Sequence, residues 1–245
     1  MQAALEHLIA GRKTSLLLLP GLLCDAWLWR AQAQELADVA NPIVADLTLD
    51  NTIAGMAERA LSIAPDRFAL AGLSMGGYVA FEIMRQAPER VERLALLDTS
   101  ATPDNPARAA ERRKGVTSIK YGRFTGVTQT LLRQLVHPSK LDTPIGVGVR
   151  AMSDRVGGEA FLRQQNAIEH RVDSRPLLAG ITVPTLVAVG DSDALTPPHH
   201  SRLMHELIAG SNLHVFQACG HLPPVEVPEE TCAVLRRWLG GTSQT

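Results

Sequence analysis

Three kinds of side chain are spaced along this sequence where they could carry out nucleophilic chemistry. Ser74 lies in Gly72-Leu73-Ser74-Met75-Gly76, a G-x-S-x-G pattern that follows the apolar run Phe68–Ala71 and precedes a helical pattern. A strand, a sharp turn and a helix in that order hold the serine in a strained backbone, so its hydroxyl projects above a sheet. The chain then passes itself too closely for side chains at the flanking positions, which is why they are glycine. The bare pattern is common by chance; its place between a buried strand and an amphipathic helix gives it weight. A serine hydroxyl is a poor nucleophile at neutral pH, so a base must take its proton and a carboxylate must orient that base.

Of the eight histidines, only His214 and His221 lie near the last apolar run, Leu213–Phe216. His214 falls inside that run and reads as a packed or edge residue. His221 follows it, in Cys219-Gly220-His221-Leu222-Pro223-Pro224, and is the expected base. The carboxylate is expected after Thr185–Val189, in Gly190-Asp191-Ser192-Asp193-Ala194-Leu195-Thr196-Pro197, where Asp191 and Asp193 are both placed to serve. His199, His200 and His205 read as an exposed helix rather than a metal site, because adjacent histidines do not share a helix face. Cys24, Cys219 and Cys232 are odd in number and have no C-x-x-C spacing, so neither a disulfide framework nor a thiolate metal site is expected. No metal or organic cofactor is implied.

These groups need a scaffold that brings distant loops together. Short apolar runs at Ser15–Leu19, Pro42–Ala45, Phe68–Ala71, Leu94–Leu97, Thr185–Val189 and Leu213–Phe216 fit parallel strands covered on both faces. Helical patterns separate them. One is the stripe of Ile53, Met56, Ala57, Ala60 and Leu61; another is a last helix over Pro228–Leu239. Strand and helix in alternation give an α/β fold with a mostly parallel, doubly wound sheet. Residues 103–181 break the rhythm with helical pieces and no strand, so they read as a helical insertion between core strands, leaving 1–102 and 182–245 as the core. The chain has 245 residues, 45% hydrophobic and 20% charged, with a net charge of -1. That composition excludes disorder, coiled coil and phosphate-neutralising nucleic-acid binding. Met1–Ala10 lacks a leader pattern, and no apolar run approaches the roughly 20 residues of a membrane span. A cytoplasmic protein is expected.

Taken together, Ser74 in its elbow, the G-x-x-D segment Gly190–Asp193 and the pair Gly220-His221 resemble the α/β-hydrolase superfamily, in the branch of small carboxylesterases, enol-lactonases and C–C bond hydrolases. The resemblance spans nearly the whole chain. It implies Asp193 as the orienting acid, with Asp98 at the end of Leu94–Leu97 as a second candidate because some relatives place the carboxylate there. It also implies an oxyanion hole built from the N–H groups of Met75 and Leu22. The family's H-G-x pattern departs here, since Pro20 stands at the usual histidine. Cys24 beside that loop reads as a buried passive thiol.

A Ser–His–Asp hydrolase of carboxylic esters, working through an acyl-enzyme, is therefore expected. Leu22, Leu23, Trp27, Leu222 and Met75 are candidates for an apolar acyl pocket. The insertion is expected to fold over the strand ends as a lid. From Asp104 to Arg150 it carries nine basic residues (Arg108, Arg112, Arg113, Lys114, Lys120, Arg123, Arg133, Lys140 and Arg150) against the acids Asp104, Glu111 and Asp142. That excess suits an anionic ester or an acyl group on an acidic carrier, although a solvated helix face is the plainer reading of it. Lactone opening, C–C hydrolysis and acyl transfer use the same constellation. A ligand receptor of the same fold is the alternative outside enzymes. No nucleic-acid or membrane partner is expected.

Overall fold

The computed structural model describes residues 13–122 and 124–240; the reading of Met1–Ala10 lies outside them. In chain order the elements are β1 (Thr14–Leu19), a 3-10 turn (Ala26–Trp29), α1 (Arg30–Glu35), β2 (Ala40–Val44), α2 (Ile53–Ile63), β3 (Phe68–Leu73), α3 (Met75–Gln86) and β4 (Val91–Leu97). A helical stretch follows, with α4 (Pro106–Lys120), α5 (Gln129–Leu135), α6 (Pro144–Glu169) and α7 (Arg175–Leu178). The chain then returns through β5 (Thr185–Gly190), α8 (Pro198–Leu207), β6 (Asn212–Phe216), α9 (Pro223–Glu226) and α10 (Pro228–Gly240).

The six strands form one parallel sheet in the order β2-β1-β3-β4-β5-β6. Every expected strand is present, several of them extended by one to three residues. The near-continuous apolarity of the runs has its cause here. Leu16 and Leu18 face the 3-10 turn and α10, in one cluster with Leu28, Trp29, Leu235 and Trp238. Leu17 and Leu19 face α2 and α3, against Met56, Val79 and Phe81. A side chain buried in this way stabilises the fold by about 1.5–3 kcal/mol.

Strand order makes the site. β1 pairs with β2 on one side and β3 on the other, so the chain leaves β1 and β3 in different directions. A crevice opens beyond their C-terminal ends, where ligands of open α/β sheets bind. No strand occurs between β4 and β5 among the described residues, which matches the helical insertion expected there. Three of its helices, α4, α5 and α6, start on side-chain caps: Asn105 accepts from Arg108 N–H, Thr128 from Leu131 N–H and Thr143 from Ile145 N–H. Helix α6 is interrupted at Gly157, whose φ of 78° only glycine adopts without cost. Among the described residues no helix is long and apolar enough to cross a membrane.

Candidate active site

Ser74 is the hinge between β3 and α3. Its φ is 53° and its ψ -114°, a strained position for a residue with a side chain. The turn is pinned from several sides. Ser74 N–H donates to Leu97 O at 3.0 Å, and Ser74 O accepts from Gly77 N–H at 2.9 Å and from the Thr99 hydroxyl at 2.7 Å. A Cβ on Gly72 would strike the backbone of Gly76, and one on Gly76 would strike the carbonyl of Leu19. The two glycines of the motif are therefore steric requirements of the elbow.

His221 stands in the loop between β6 and α9, 3% exposed, with Nδ1 2.8 Å from Asp193 Oδ2. Asp193 is 3% exposed and accepts three more hydrogen bonds: from Leu195 N–H at 2.8 Å, Thr196 N–H at 3.0 Å and the Thr196 hydroxyl at 2.7 Å. Burial works to raise this carboxyl, but the imidazole and the Thr196 donors outweigh it and hold Asp193 well below the usual carboxylate range. An ionised Asp193 can only accept, so Nδ1 of His221 carries the proton and Nε2 is left as the basic nitrogen.

The two aspartates of that loop have separate surroundings. Asp191 points away, accepting from Ala218 N–H at 3.0 Å and Cys219 N–H at 3.2 Å, and so fastens the β6 turn. Asp98, at the end of β4, is fully buried with a φ of 44°. Its Oδ1 accepts from Gly190 N–H at 2.9 Å, while Oδ2 has no partner among the described residues. Burial, and then the charge of Asp193, push the Asp98 carboxyl well up.

Ser74 and His221 share the wall of one cavity of about 370 Å³. Leu22, Leu23, Leu131, Leu135, Val149, Met152, Phe161 and Leu222 make it largely apolar, and Arg108, Arg112 and Gln165 add a polar sector from the insertion. Leu22, Leu23 and Leu222, read from sequence as pocket candidates, line it. Trp27 does not: its ring is packed against Gly148 of α6, with the Arg30 guanidinium 3.9 Å from its centre. The Met75 side chain is also elsewhere, fully buried in the core on the α2–α3 side of the sheet. Alternation along a strand and direction along a helix decide such placements, and spacing in sequence does not show them.

The backbone N–H of Leu22 donates to no protein group among the described residues, whereas Leu23 N–H is bonded to Gln164 Oε1 at 3.0 Å. Gln164 is fully buried and also donates to Leu47 O at 3.1 Å, so α6 fixes the loop after β1. Cys24 is buried beside that loop and its thiol is pushed up to about 12 by burial, so it stays protonated near neutral pH.

Two expectations about other histidines fare differently. His214 is an edge residue, 2.9 Å from Glu230 on α10. His199 and His200, read as lying on different faces, stack with ring centres 4.2 Å apart, and His200 is half-buried against Ser100 at 3.0 Å. The one group of metal-capable side chains found among the described residues is Asp98, Asp193 and His221, within 4.8 Å of one another. Asp193 already accepts four hydrogen bonds, which leaves it a poor ligand. Thr196, Gln164 and Glu226 were not singled out by sequence; each acts through a contact more than two residues away that no local pattern announces.

Known proteins resemble this chain in sequence and in fold. The profile of the family described as "alpha/beta hydrolase fold" matches residues 62–228. A pimeloyl-[acyl-carrier protein] methyl ester esterase of Neisseria meningitidis serogroup C is 30% identical over 181 residues, covering 69% of this chain and 68% of that protein. The like-named protein of Edwardsiella ictaluri is 25% identical across 99% of this chain and 100% of its own length. Among solved structures, a thermophilic esterase from Thermogutta terrifontis superposes with a TM-score of 0.84 at 30% identity, covering 94% of this chain and 90% of that one.

Proposed function

The chain belongs to the alpha/beta hydrolase family and is an ester-hydrolysing enzyme, and from that premise we propose that Ser74, His221 and Asp193 form its catalytic triad. His221 Nε2 takes the hydroxyl proton as Ser74 Oγ attacks the ester carbonyl. The negative charge that develops on the carbonyl oxygen is received by the N–H groups of Leu22 and Met75, the latter at the N-terminus of α3. Collapse of the adduct expels the alcohol with the proton held by His221, leaving an acyl-Ser74. Water, activated by the same imidazole, then releases the acid. Asp193 keeps the tautomer and stabilises the imidazolium.

The observation that carries this reading is the 2.8 Å contact between His221 Nδ1 and Asp193 Oδ2, at a cavity whose wall includes the strained Ser74. A fluorophosphonate probe tests it: one mole bound per chain and mapped to Ser74, with loss of esterase activity in step, is the expected result. Labelling at another residue would overturn it.

We propose further that the substrate is an ester with a medium-length acyl chain carrying an acidic or carrier-linked group. The apolar cavity accommodates the chain. Arg108 and Arg112 on its wall, within the basic insertion, favour a negative group, and relatives are named for an acyl-carrier-linked methyl ester. The insertion acts as the lid of the site. Hydrolysis of the methyl ester of a dicarboxylate held as a thioester on an acidic carrier protein, in preference to a neutral ester of equal length and with a preference that shrinks in salt, is the outcome that supports this.

A further inference from the structure

Glu226 ends the single turn of α9 and is 2% exposed, a carboxyl buried next to the active site with no part in the chemistry above. Its Oε1 accepts from Leu222 N–H at 3.0 Å, and its Oε2 accepts from Gly220 N–H at 3.0 Å and from His137 N–H at 2.7 Å. The first two donors flank His221. Local structure explains them: Pro223 and Pro224 open α9 and offer no N–H, so the glutamate reaches back over the turn, as capping glutamates do.

The third donor has no such local cause. His137 belongs to the segment after α5, on the insertion, 89 residues away in the chain. His221 itself answers it in the opposite direction, its N–H donating to Leu135 O at 2.9 Å. The three successive amides 220, 221 and 222 thus go to Glu226, to the insertion and to Glu226 again. Leu135 and His221 both line the catalytic cavity. The approach is as close as backbones allow: a Cβ on Gly220 would stand 2.8 Å from His137 N and from the Val136 carbonyl carbon.

We infer that Glu226 is a positioning residue, a clasp that joins the loop carrying His221 to the edge of the helical insertion so that base and insertion hold one geometry. The inference rests on His221 being the base. Three N–H groups converging on one buried carboxylate supply charge-assisted bonds, stronger than those to a neutral acceptor. Burial holds the Glu226 carboxyl above its usual value, against the smaller opposing pull of its three N–H partners. Moving residues 135–137 would drag the imidazole from its place, so this edge of the insertion stays fixed to the His221 loop.

Glu226→Gln and Gly220→Ala test the clasp by different routes. The first leaves an amide N–H facing a backbone N–H; the second keeps the carboxylate and pushes the two segments apart. Each is expected to lower kcat about 10- to 100-fold with KM changed by less than about threefold, because a base displaced by a fraction of an ångström loses rate rather than binding. Amide hydrogen exchange at His137, Gly220 and Leu222 is expected to quicken together in Glu226→Gln, by about tenfold or more, with the amides of β3 and β4 unchanged. A simple helix cap would quicken Leu222 alone and spare kcat, and that result would overturn the clasp. If Glu226→Gln does not fold, Gly220→Ala decides alone by the kcat–KM split. The exchange pattern is read without turnover, so a failure of the triad assignment, seen as activity retained in Ser74→Ala, is distinguishable from a failure of the clasp.

Discussion

Asp98 and Asp193 place two buried carboxyl groups within 4.8 Å of each other and of His221. Two such groups cannot both ionise cheaply in a site shielded from water. Asp193, with four donors on its oxygens, keeps the charge, and Asp98 keeps the proton. The sign of the pH dependence follows. Asp98 in the unfolded chain loses its proton near 3.8, and the folded chain holds it to higher pH. Stability from this group is therefore lost progressively as pH rises above about 4. Asp98→Asn should remove that loss, so the difference in urea midpoint between variant and parent should shift in favour of the variant from pH 5 to pH 8. A difference that stays constant from pH 5 to pH 8 would mean that Asp98 is ionised throughout.

The choice between the two loop aspartates is open to a direct comparison. Asp193→Asn should lower kcat by about 10⁴-fold, through loss of the correct imidazole tautomer. Asp191→Asn removes an acceptor from Ala218 and Cys219 N–H at a largely exposed site, so a loss of about 1 kcal/mol of stability with turnover retained is expected. Equal kinetic losses in the two variants would contradict the arrangement.

The insertion is anchored by Asp104, which accepts from Arg112 and Arg171 at 2.8 Å each and lies 3.4 Å from Arg108. Burial works against its charge, but the two closer guanidinium groups outweigh it and bring the carboxyl down to about 2. A depressed acid stabilises the fold above its unfolded value and loses that contribution as pH falls from about 4 towards 2. At neutral pH the term is about 2 kcal/mol. Asp104→Asn should lower Tm at pH 7, lose about half of that difference by pH 3 and most of it by pH 2; an equal deficit across this range would remove the ionic explanation.

Gln164 holds Leu23 N–H and Leu47 O together across α6. Gln164→Leu leaves both backbone groups buried without partners, at a cost of about 1–3 kcal/mol for each. The same change frees the loop that carries Leu22. Thermal denaturation should show the stability loss, and steady-state kinetics should show kcat falling by more than KM changes. Unaltered kcat would mean that the Leu22 amide needs no such support.

The sequence by itself determined the parts of this protein that local physics controls. A serine between glycines after a buried strand can be accommodated only as a sharp strand–helix turn, and runs of Leu, Val and Ala of that length form parallel strands covered on both faces. For the same reason the histidine after the last strand was legible. Other features were decided only in three dimensions. Which of Asp191 and Asp193 meets the imidazole depends on the direction of two side chains within one turn. Trp27 left the pocket because α6 offered it a glycine to pack on. Glu226 and Gln164 act on residues brought to them by the sheet order and by the return of the insertion over the strand ends. Contacts between segments about a hundred residues apart leave no period and no motif in the chain, because their energy comes from the assembled packing.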